Sequence, residues 1–266
     1  MESTACDHSS THARLKAVCA FLARYSTTLV ACGATTQRVT FNVVRIAKTY
    51  DTQVVLTILS NHVMITVHDL NGDHTYTLTR RIRQAPIDFS LNSALSRLSW
   101  KIADCNVELA HAQRMFDTLL SRHRIKIIPL TLMVGAANAS FCRLFGGDLP
   151  AMLIVFIATI AGFWLKHIMT SKWHWSIYAA TFISASVAAL VSCAPMVFGW
   201  GNTPQVALAT SVLFLVPGVP FINGLSDMMT AHYTCGIGRL FKAVMLTVCL
   251  TGGLMVAFLC MDINML

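Results

Sequence analysis

The fold is decided by an apolar stretch that two prolines interrupt, SVLFLVPGVPFIN, residues 211–223. A regular helix loses backbone hydrogen bonds at Pro217 and Pro220, and within lipid the freed groups must be satisfied by protein or by a water-filled cavity. Broken helices of this kind form binding sites in transporters, where the positive end of a half-helix attracts a carboxylate. The stretch therefore predicts a membrane protein with a broken helix. A simple kink, or a span that ends at Val216, is the alternative.

The charged residues are concentrated in the first half of the chain. Of the 32 Lys, Arg, Asp and Glu residues, 24 lie in residues 1–126, and residues 127–266 contain no Glu. A water-soluble fold cannot cover its surface with so few charges, whereas lipid-facing helices need almost none. We therefore expect a cytoplasmic domain in residues 1–125 and a transmembrane domain in residues 126–266.

The first domain shows both helical and strand patterns. Apolar residues recur at helical spacing over residues 13–30, 36–50 and about 89–120. Runs typical of strands occupy residues 54–59, 63–67 and 75–79. Asn71-Gly72-Asp73 is a strong hairpin signal before the last of these runs. We predict an α+β domain with a small antiparallel sheet of about three strands. Because no signal peptide opens the chain, this domain is expected to stay in the cytoplasm.

Five segments of the second domain are apolar enough to cross the hydrocarbon core, which takes roughly 20 residues. They are residues 127–145, 149–165, 175–198, 204–224 and 243–261. Basic residues alternate with neutral loops along these segments, and cytoplasmic loops carry the excess of Lys and Arg. The predicted fold class is therefore an α-helical integral membrane protein with about five transmembrane helices, a cytoplasmic N-terminus and a periplasmic C-terminus.

Composition and motifs disfavour several other classes of protein. The net charge of +8 is scattered along the chain, so nucleic-acid binding is not expected. The nine cysteines form no CxxC pair, so neither a metal site nor a disulfide framework is predicted. The sequence has no P-loop, GxSxG, HExxH or dinucleotide fingerprint. We therefore predict no catalytic residues, no cofactor and no enzymatic activity.

Ionisable residues near the membrane are the first candidates for a transport site, because they are expensive in lipid. Arg239 and Arg143 are predicted to attract an anionic substrate. Asp227 and His232 are candidates for proton coupling, since histidine titrates near neutral pH. Each of these residues also has a structural alternative. In these alternatives Asp227 only pairs with Arg239, His232 has a purely structural role, and Arg143 extends to the membrane–water interface. Asn138 is expected to make an interhelical hydrogen bond. The predicted substrate-binding set is completed by Pro217, Gly218, Pro220 and Asn223.

These residues resemble the threonine/serine exporter family, most closely its short, two-subunit form, which is implicated in succinate efflux. The resemblance is carried by Asn202-Thr203-Pro204, Ser211–Asn223, Asp227, His232, Gly236 and Arg239, and more loosely by Phe141–Leu144, Gly146-Gly147 and Gly33-Ala34 with Val39. It implies a cytoplasmic N-terminal domain, about five membrane helices and a smaller partner subunit of about four helices. Many relatives carry an acidic residue after the Gly-Ala pair, where this sequence has Thr35-Thr36-Gln37.

Together, the residues and the resemblance predict a subunit of a secondary exporter in the bacterial inner membrane. The cargo would be a small carboxylate, either a C4-dicarboxylate such as succinate or threonine and serine. The expected partners are the smaller membrane subunit, the cargo and the lipid bilayer, and homo-oligomerisation stays open. Two alternatives remain: a membrane-anchored enzyme, or an assembly factor that acts through its soluble domain.

Overall fold

The computed structural model describes residues 2–59, 61–70, 74–83, 85–122, 126–199 and 201–260. The chain forms two compact units, of which the first comprises Met1–Arg124 and Val219–Leu240, and the second Ile125–Gly218 and Phe241–Leu266. The chain thus leaves the first unit, enters the second, and returns to the first for one helical hairpin. The boundary at residue 125 between a cytoplasmic and a transmembrane domain stays a prediction.

The first unit surrounds a three-stranded sheet with helices. Its elements before the return are α1 (Glu2–Ala31), α2 (Thr36–Thr49), β1 (Thr52–Ile58), β2 (His62–Asp69), β3 (Thr75–Arg81), α3 (Phe89–Asp104) and α4 (Leu109–Arg122). The strands are antiparallel in the order β1-β2-β3, and Ile65 lies opposite Leu56 and Leu78. The predicted antiparallel sheet is therefore confirmed. The predicted turn at residues 71–73 lies outside the described residues.

The core of the first unit lies between the sheet and α1. Val63, Ile65 and Val67 of β2 are buried, as are Leu15 and Leu22 of α1. Alternate residues of β2 point to opposite faces, so this single strand supplies three core side chains. An aromatic cluster extends the core towards α4 and consists of Phe21, Tyr25 and Phe116.

The described residues of the second unit form helices joined by short turns and loops, with no strand among them. Its elements are α5 (Ile127–Leu144), α6 (Leu149–Ser171), α7 (Ile177–Ser192), α8 (Ala194–Phe198), α9 (Pro204–Ser211) and the 3-10 turn Leu213–Leu215. The last two helices are α10 (Gly218–Met229), which belongs to the first unit from Val219 onwards, and α11 (Tyr233–Cys260), which belongs to the first unit up to Leu240 and to the second from Phe241. Within the unit, Asn138 Nδ2 donates to Thr159 Oγ1 at 2.7 Å and to Thr210 O at 3.1 Å. The interhelical hydrogen bond expected of Asn138 is thus confirmed.

Among the described residues, three helices are long and apolar enough to cross a membrane: α5, α6 and α11. The α9–α10 pair would add a fourth span if the two helices cross together, whereas α7 is apolar but shorter. The predicted count of five spans is therefore not confirmed. The segment predicted as the third span, residues 175–198, is divided at Cys193, because Pro195 lacks the N–H that would continue the helix.

The last predicted span begins earlier than its apolar residues indicate. The sequence predicts a span over residues 243–261, with Arg239 and Lys242 at the preceding turn, but α11 begins at Tyr233 and includes both basic residues. Charged residues do not by themselves end a helix, since Lys and Arg have good helix propensity. Residue 261 lies outside the described residues.

Candidate functional site

The proline-interrupted stretch forms a break between two helices. The 3-10 turn Leu213–Leu215 follows α9, and α10 begins only at Gly218, whose N–H donates to Val216 O at 2.9 Å. Pro220 lies in the first turn of α10, where its missing N–H costs no intrahelical hydrogen bond. A methyl group added at Gly218 would meet no atom within 4 Å. The start of α10 therefore has open space beside it.

Asp227, near the end of α10, is a fully buried carboxylate. Its Oδ1 accepts a hydrogen bond from Thr36 N at 2.9 Å, and its Oδ2 accepts one from Thr36 Oγ1 at 3.0 Å. Thr36 is the first residue of α2, so the carboxylate lies at a helix N-terminus, where it meets a backbone donor that no helical carbonyl can satisfy. The partial positive charge of that helix end favours the carboxylate.

Arg239, on the second turn of α11, supplies the countercharge. Its Nη1 lies 3.3 Å from Asp227 Oδ2, and its Nη2 donates to Ala34 O at 3.0 Å. The arginine side chain is only 17% exposed, so water screens the pair little. In the described part of the chain, Nη1 makes no hydrogen bond of good geometry. The ion pair thus leaves buried donor capacity on the guanidinium.

Asn223, also on α10, binds the same loop between α1 and α2. Its Nδ2 donates to Gly33 O at 2.8 Å. Gly33 has a φ of +90°, and a Cβ there would approach the Ile87 side chain to 3.0 Å, so this turn requires glycine. The Gly33-Ala34 loop is therefore held by Asn223 and Arg239 together.

Two facing glycines bring α10 and α11 close together. A Cβ added at Gly236 would lie 3.0 Å from Gly224 O, and one added at Gly224 would lie 2.8 Å from the Leu240 side chain. Only residues without a Cβ allow this approach. Asp227 and Arg239 each lie three residues beyond one of these glycines. The close approach therefore helps to place the two charges at ion-pair distance.

A cavity of about 240 Å³ lies near the ion pair, although neither Asp227 nor Arg239 lines it. Its lining includes Thr36 and Cys235, and Thr36 binds Asp227 directly. Cys235 Sγ lies 3.3 Å from Thr36 Oγ1, and Arg239 follows Cys235 by one helical turn. Tyr233, the first residue of α11, also lines the cavity. The first-turn N–H groups of a helix lack intrahelical acceptors, so this end of the cavity suits an anion.

His232 lines the same cavity, immediately before α11. Its Nδ1 lies 3.0 Å from Thr230 Oγ1, and its backbone N–H donates to Asp227 O at 2.8 Å. The preceding Ala231 has a φ of +62°, in the left-handed region that closes the turn between α10 and α11. His232 thus lines the cavity, and its backbone is hydrogen-bonded to the backbone of Asp227.

Arg143 lies in the second unit, in the last turn of α5. Its side chain is exposed, and its Nη1 donates to Gly147 O at 3.2 Å. Asp148 follows and accepts hydrogen bonds from Asn202 N at 2.6 Å and Ala151 N at 3.0 Å. These backbone donors hold the pKa of the Asp148 carboxyl below its usual value. Among the described residues, Arg143 takes part in no ion pair, and its side chain binds only the Gly147 carbonyl.

A comparison with known families identifies the chain's relatives. The family model described as "Putative threonine/serine exporter" matches residues 20–261. The chain belongs to this exporter family. Its apolar helices and its family make it a membrane protein of a transporter family rather than of an enzyme family. The resemblance indicated by Gly33-Ala34 and Ser211–Asn223 is thereby confirmed.

Two curated relatives bear the name "Probable succinate transporter subunit YjjP". The protein from Klebsiella aerogenes is 31% identical over 134 residues, and that from Escherichia coli strain K12 is 32% identical over 135 residues. Each match covers 48% of this chain and 50% of the relative, so the chain spans about half the length of the curated relatives that it matches. No solved structure matches the chain.

The residues at this site of the exporter-family chain were only partly foreseen. Asp227, Arg239, His232 and Asn223 were predicted as site residues, and the first unit brings all four together. Thr36 was not predicted as a partner of Asp227, because 191 positions separate them. Its proximity to the Gly33-Ala34 motif was the available signal. Among the described residues, no group of three His, Cys, Asp or Glu side chains is placed to hold a metal ion.

Proposed function

We propose that this chain is one subunit of a secondary exporter that moves small carboxylates out across the bacterial inner membrane. The cargo is succinate or another C4-dicarboxylate, or threonine and serine. Membership of the exporter family and the names of its relatives support this proposal. The N-terminus is cytoplasmic and the C-terminus periplasmic, since loops rich in Lys and Arg alternate with neutral loops and the basic loops are expected on the cytoplasmic side. The partner is a smaller, YjjB-like membrane subunit of about four helices.

The observation that carries the proposal is the buried Asp227–Arg239 pair beside the 240 Å³ cavity. A carboxylate that enters this cavity meets the N-terminal end of α11. Arg239 lies one turn further along the helix and retains a buried Nη1 without a well-aligned hydrogen bond. Cargo binding then consists of a change of partner, in which Arg239 leaves Asp227 for the carboxylate of the cargo.

Proton coupling follows from the same change of partner. A buried Asp227 that loses its countercharge is stabilised by taking up a proton, because an unpaired charge is costly in a buried site. His232 lines the cavity and lies five residues after Asp227, so in this proposal its ring exchanges that proton with the cavity. An inward proton thereby drives an outward carboxylate.

The remaining predicted residues have supporting roles in this proposal. Pro217, Gly218 and Pro220 keep the start of α10 open, so its N-terminal end can attract a carboxylate at a separate point of the pathway. Asn223 fixes α10 to the loop between α1 and α2. Arg143 attracts the anion at the other mouth of the pathway.

Export from proteoliposomes tests the proposal. We would measure efflux of labelled succinate and threonine with this chain alone and with its partner subunit. Arg239→Gln should lower efflux at least about tenfold, as loss of a charge-assisted contact predicts. Arg81→Gln, which removes an exposed charge at the end of β3, should leave efflux unchanged.

Asp227→Asn separates binding from coupling. Without the competing carboxylate, Arg239 should bind cargo more tightly, while efflux should no longer respond to an imposed pH gradient. A normal rate and normal pH response in both site variants would refute the site. Flux by the chain alone would refute the two-subunit proposal. Tight copurification with the partner but no flux of either cargo would favour an assembly factor.

A further inference from the structure

A second cavity in the first unit lies between α3 and α4 and has a volume of about 570 Å³. Three arginines line it, Arg97 from α3 and Arg114 and Arg122 from α4, together with His111. The basic residues that α4 contributes follow one another at intervals of about one or two helical turns, so they share one face of the helix. No Asp or Glu is among the described residues that line this cavity, which we call the basic cleft.

The charges of the basic cleft are not neutralised within the described part of the chain. Arg97 and Arg122 have no ion-pair partner there, and Arg114 donates only from Nε to Ala110 O at 3.3 Å. The acidic residue of α4, Asp117, pairs instead with Arg24 of α1. Like charges gathered around one cavity repel one another, so an anion bound among them relieves that repulsion.

The floor of the basic cleft is apolar. It is formed by Ala94, Met115 and Leu119, whose side chains are half-buried. A site for a small inorganic ion would surround the ion with polar groups, whereas this cavity combines a basic rim with a hydrocarbon surface. Methionine is well suited to such a surface because its flexible thioether adapts to irregular apolar shapes. The cleft therefore matches an amphiphilic anion.

One end of the basic cleft is near a membrane helix along the sequence. Arg122 is the last residue of α4, and α5, a helix of span length, begins at Ile127. The intervening sequence adds Arg124 and Lys126. Five residues extend over at most about 18 Å, so Arg122 cannot lie far from the start of α5. Basic clusters beside the cytoplasmic end of a membrane helix attract anionic lipid headgroups.

We propose that the basic cleft binds the headgroup of an anionic phospholipid. Arg97, Arg114 and Arg122 hold the phosphate, because guanidinium groups match phosphate oxygens in bidentate geometry. The glycerol and the first acyl carbons lie on Met115 and Leu119. The inference rests on the proposed cytoplasmic placement of the first unit, and it does not involve the Asp227–Arg239 site.

Lipid binding to the full chain in detergent tests this proposal. The probe is a short-chain phosphatidylglycerol, compared with phosphatidylcholine of the same chain length. The variant Arg97→Gln/Arg114→Gln/Arg122→Gln should weaken phosphatidylglycerol binding at least about tenfold, because it removes three phosphate contacts. The matched control, Arg80→Gln/Arg81→Gln/Arg83→Gln, removes three exposed charges from the end of β3 and should change binding less than about twofold. Circular dichroism of both variants checks that they fold.

Each other outcome overturns a specific part of the proposal. Unchanged binding in the cleft variant, or equal losses in the two triple variants, would refute the cleft. Glycerol phosphate binding as tightly as phosphatidylglycerol would show a soluble phosphate ester to be the ligand. Leu119→Asn, which keeps the charge, should weaken phosphatidylglycerol binding and leave glycerol phosphate binding unchanged. Because binding is measured rather than transport, failure here and failure of the export proposal are distinguishable.

Discussion

Replacing Asp227 with alanine tests the buried ion pair most directly. The carboxylate is fully buried, accepts two hydrogen bonds from Thr36, and lies 3.3 Å from Arg239 Nη1. Alanine removes all three contacts at once. It leaves a guanidinium that is 17% exposed with Ala34 O as its hydrogen-bond acceptor among the described residues. The variant therefore creates a buried charge without a countercharge.

The size of the effect follows from these contacts. Removing one partner of a buried ion pair costs about 3–5 kcal/mol, mainly because the other charge stays buried. The Thr36 N–H also loses its acceptor, which costs a buried donor about 1–3 kcal/mol. Because Arg239 keeps Ala34 and some access to water, the two costs overlap, and we expect a loss of about 4 kcal/mol. Asp227→Asn keeps an acceptor for Thr36 and should cost about 2 kcal/mol.

A double-mutant cycle provides the decisive measurement. Arg239→Met removes the other charge, so Asp227→Ala/Arg239→Met leaves no charge buried and should be more stable than Asp227→Ala alone. Denaturant titration of the full chain in detergent, followed by circular dichroism, gives the midpoints. Asp117→Ala, which breaks the exposed pair with Arg24, is the control and should cost less than about 1 kcal/mol. A double variant that loses the sum of both single losses would refute the reasoning.

Three further predictions concern helix ends and contacts. Asp148→Ala should lower the melting temperature at pH 7; because the folded-state pKa is lowered, this deficit should shrink as the pH falls below the unfolded value of about 3.9. Gly236→Ala should cost about 1–3 kcal/mol by forcing α10 from α11, whereas Gly218→Ala meets no atom and should be neutral in denaturant titrations. Asn138→Ala should cost about 1 kcal/mol by the same assay, and a cost near zero would contradict the observed interhelical hydrogen bonds.

The sheet could be predicted because its information is local. Residues 63–67 were predicted as a strand from their composition, and the described strand β2 extends this run by only a residue or two at each end. Arg239 as a candidate partner of Asp227 was also accessible, since the two residues lie near each other in the sequence. Thr36, which also binds Asp227, could not be predicted as part of this ion-pair site. No periodic pattern in the sequence links a helix start to a carboxylate 191 positions away.

The membrane helices show where hydropathy is insufficient. An apolar segment gives the length of a span but not its continuity, so residues 175–198 were predicted as one helix although they divide at Cys193. A second error concerns α11, because Arg239 was predicted to lie at the turn before the last span rather than within the helix. Arg239 can lie within a buried part of the helix because its guanidinium pairs with Asp227 and donates a hydrogen bond to Ala34 O. These are tertiary contacts, which hydropathy along the sequence does not reveal.

The Asp227–Arg239 ion pair also constrains the loop between α1 and α2. Arg239 holds Asp227 and Ala34, and Asp227 holds the first residue of α2, so the guanidinium cannot leave without releasing one end of the loop between α1 and α2. Each 1.4 kcal/mol of this pairing energy lowers the apparent affinity of a competing anion about tenfold. An anion that displaces Asp227 must therefore also release the start of α2. In the proposed transport cycle, the contacts that oppose cargo binding would thus connect the site to the helix that follows Gly33-Ala34.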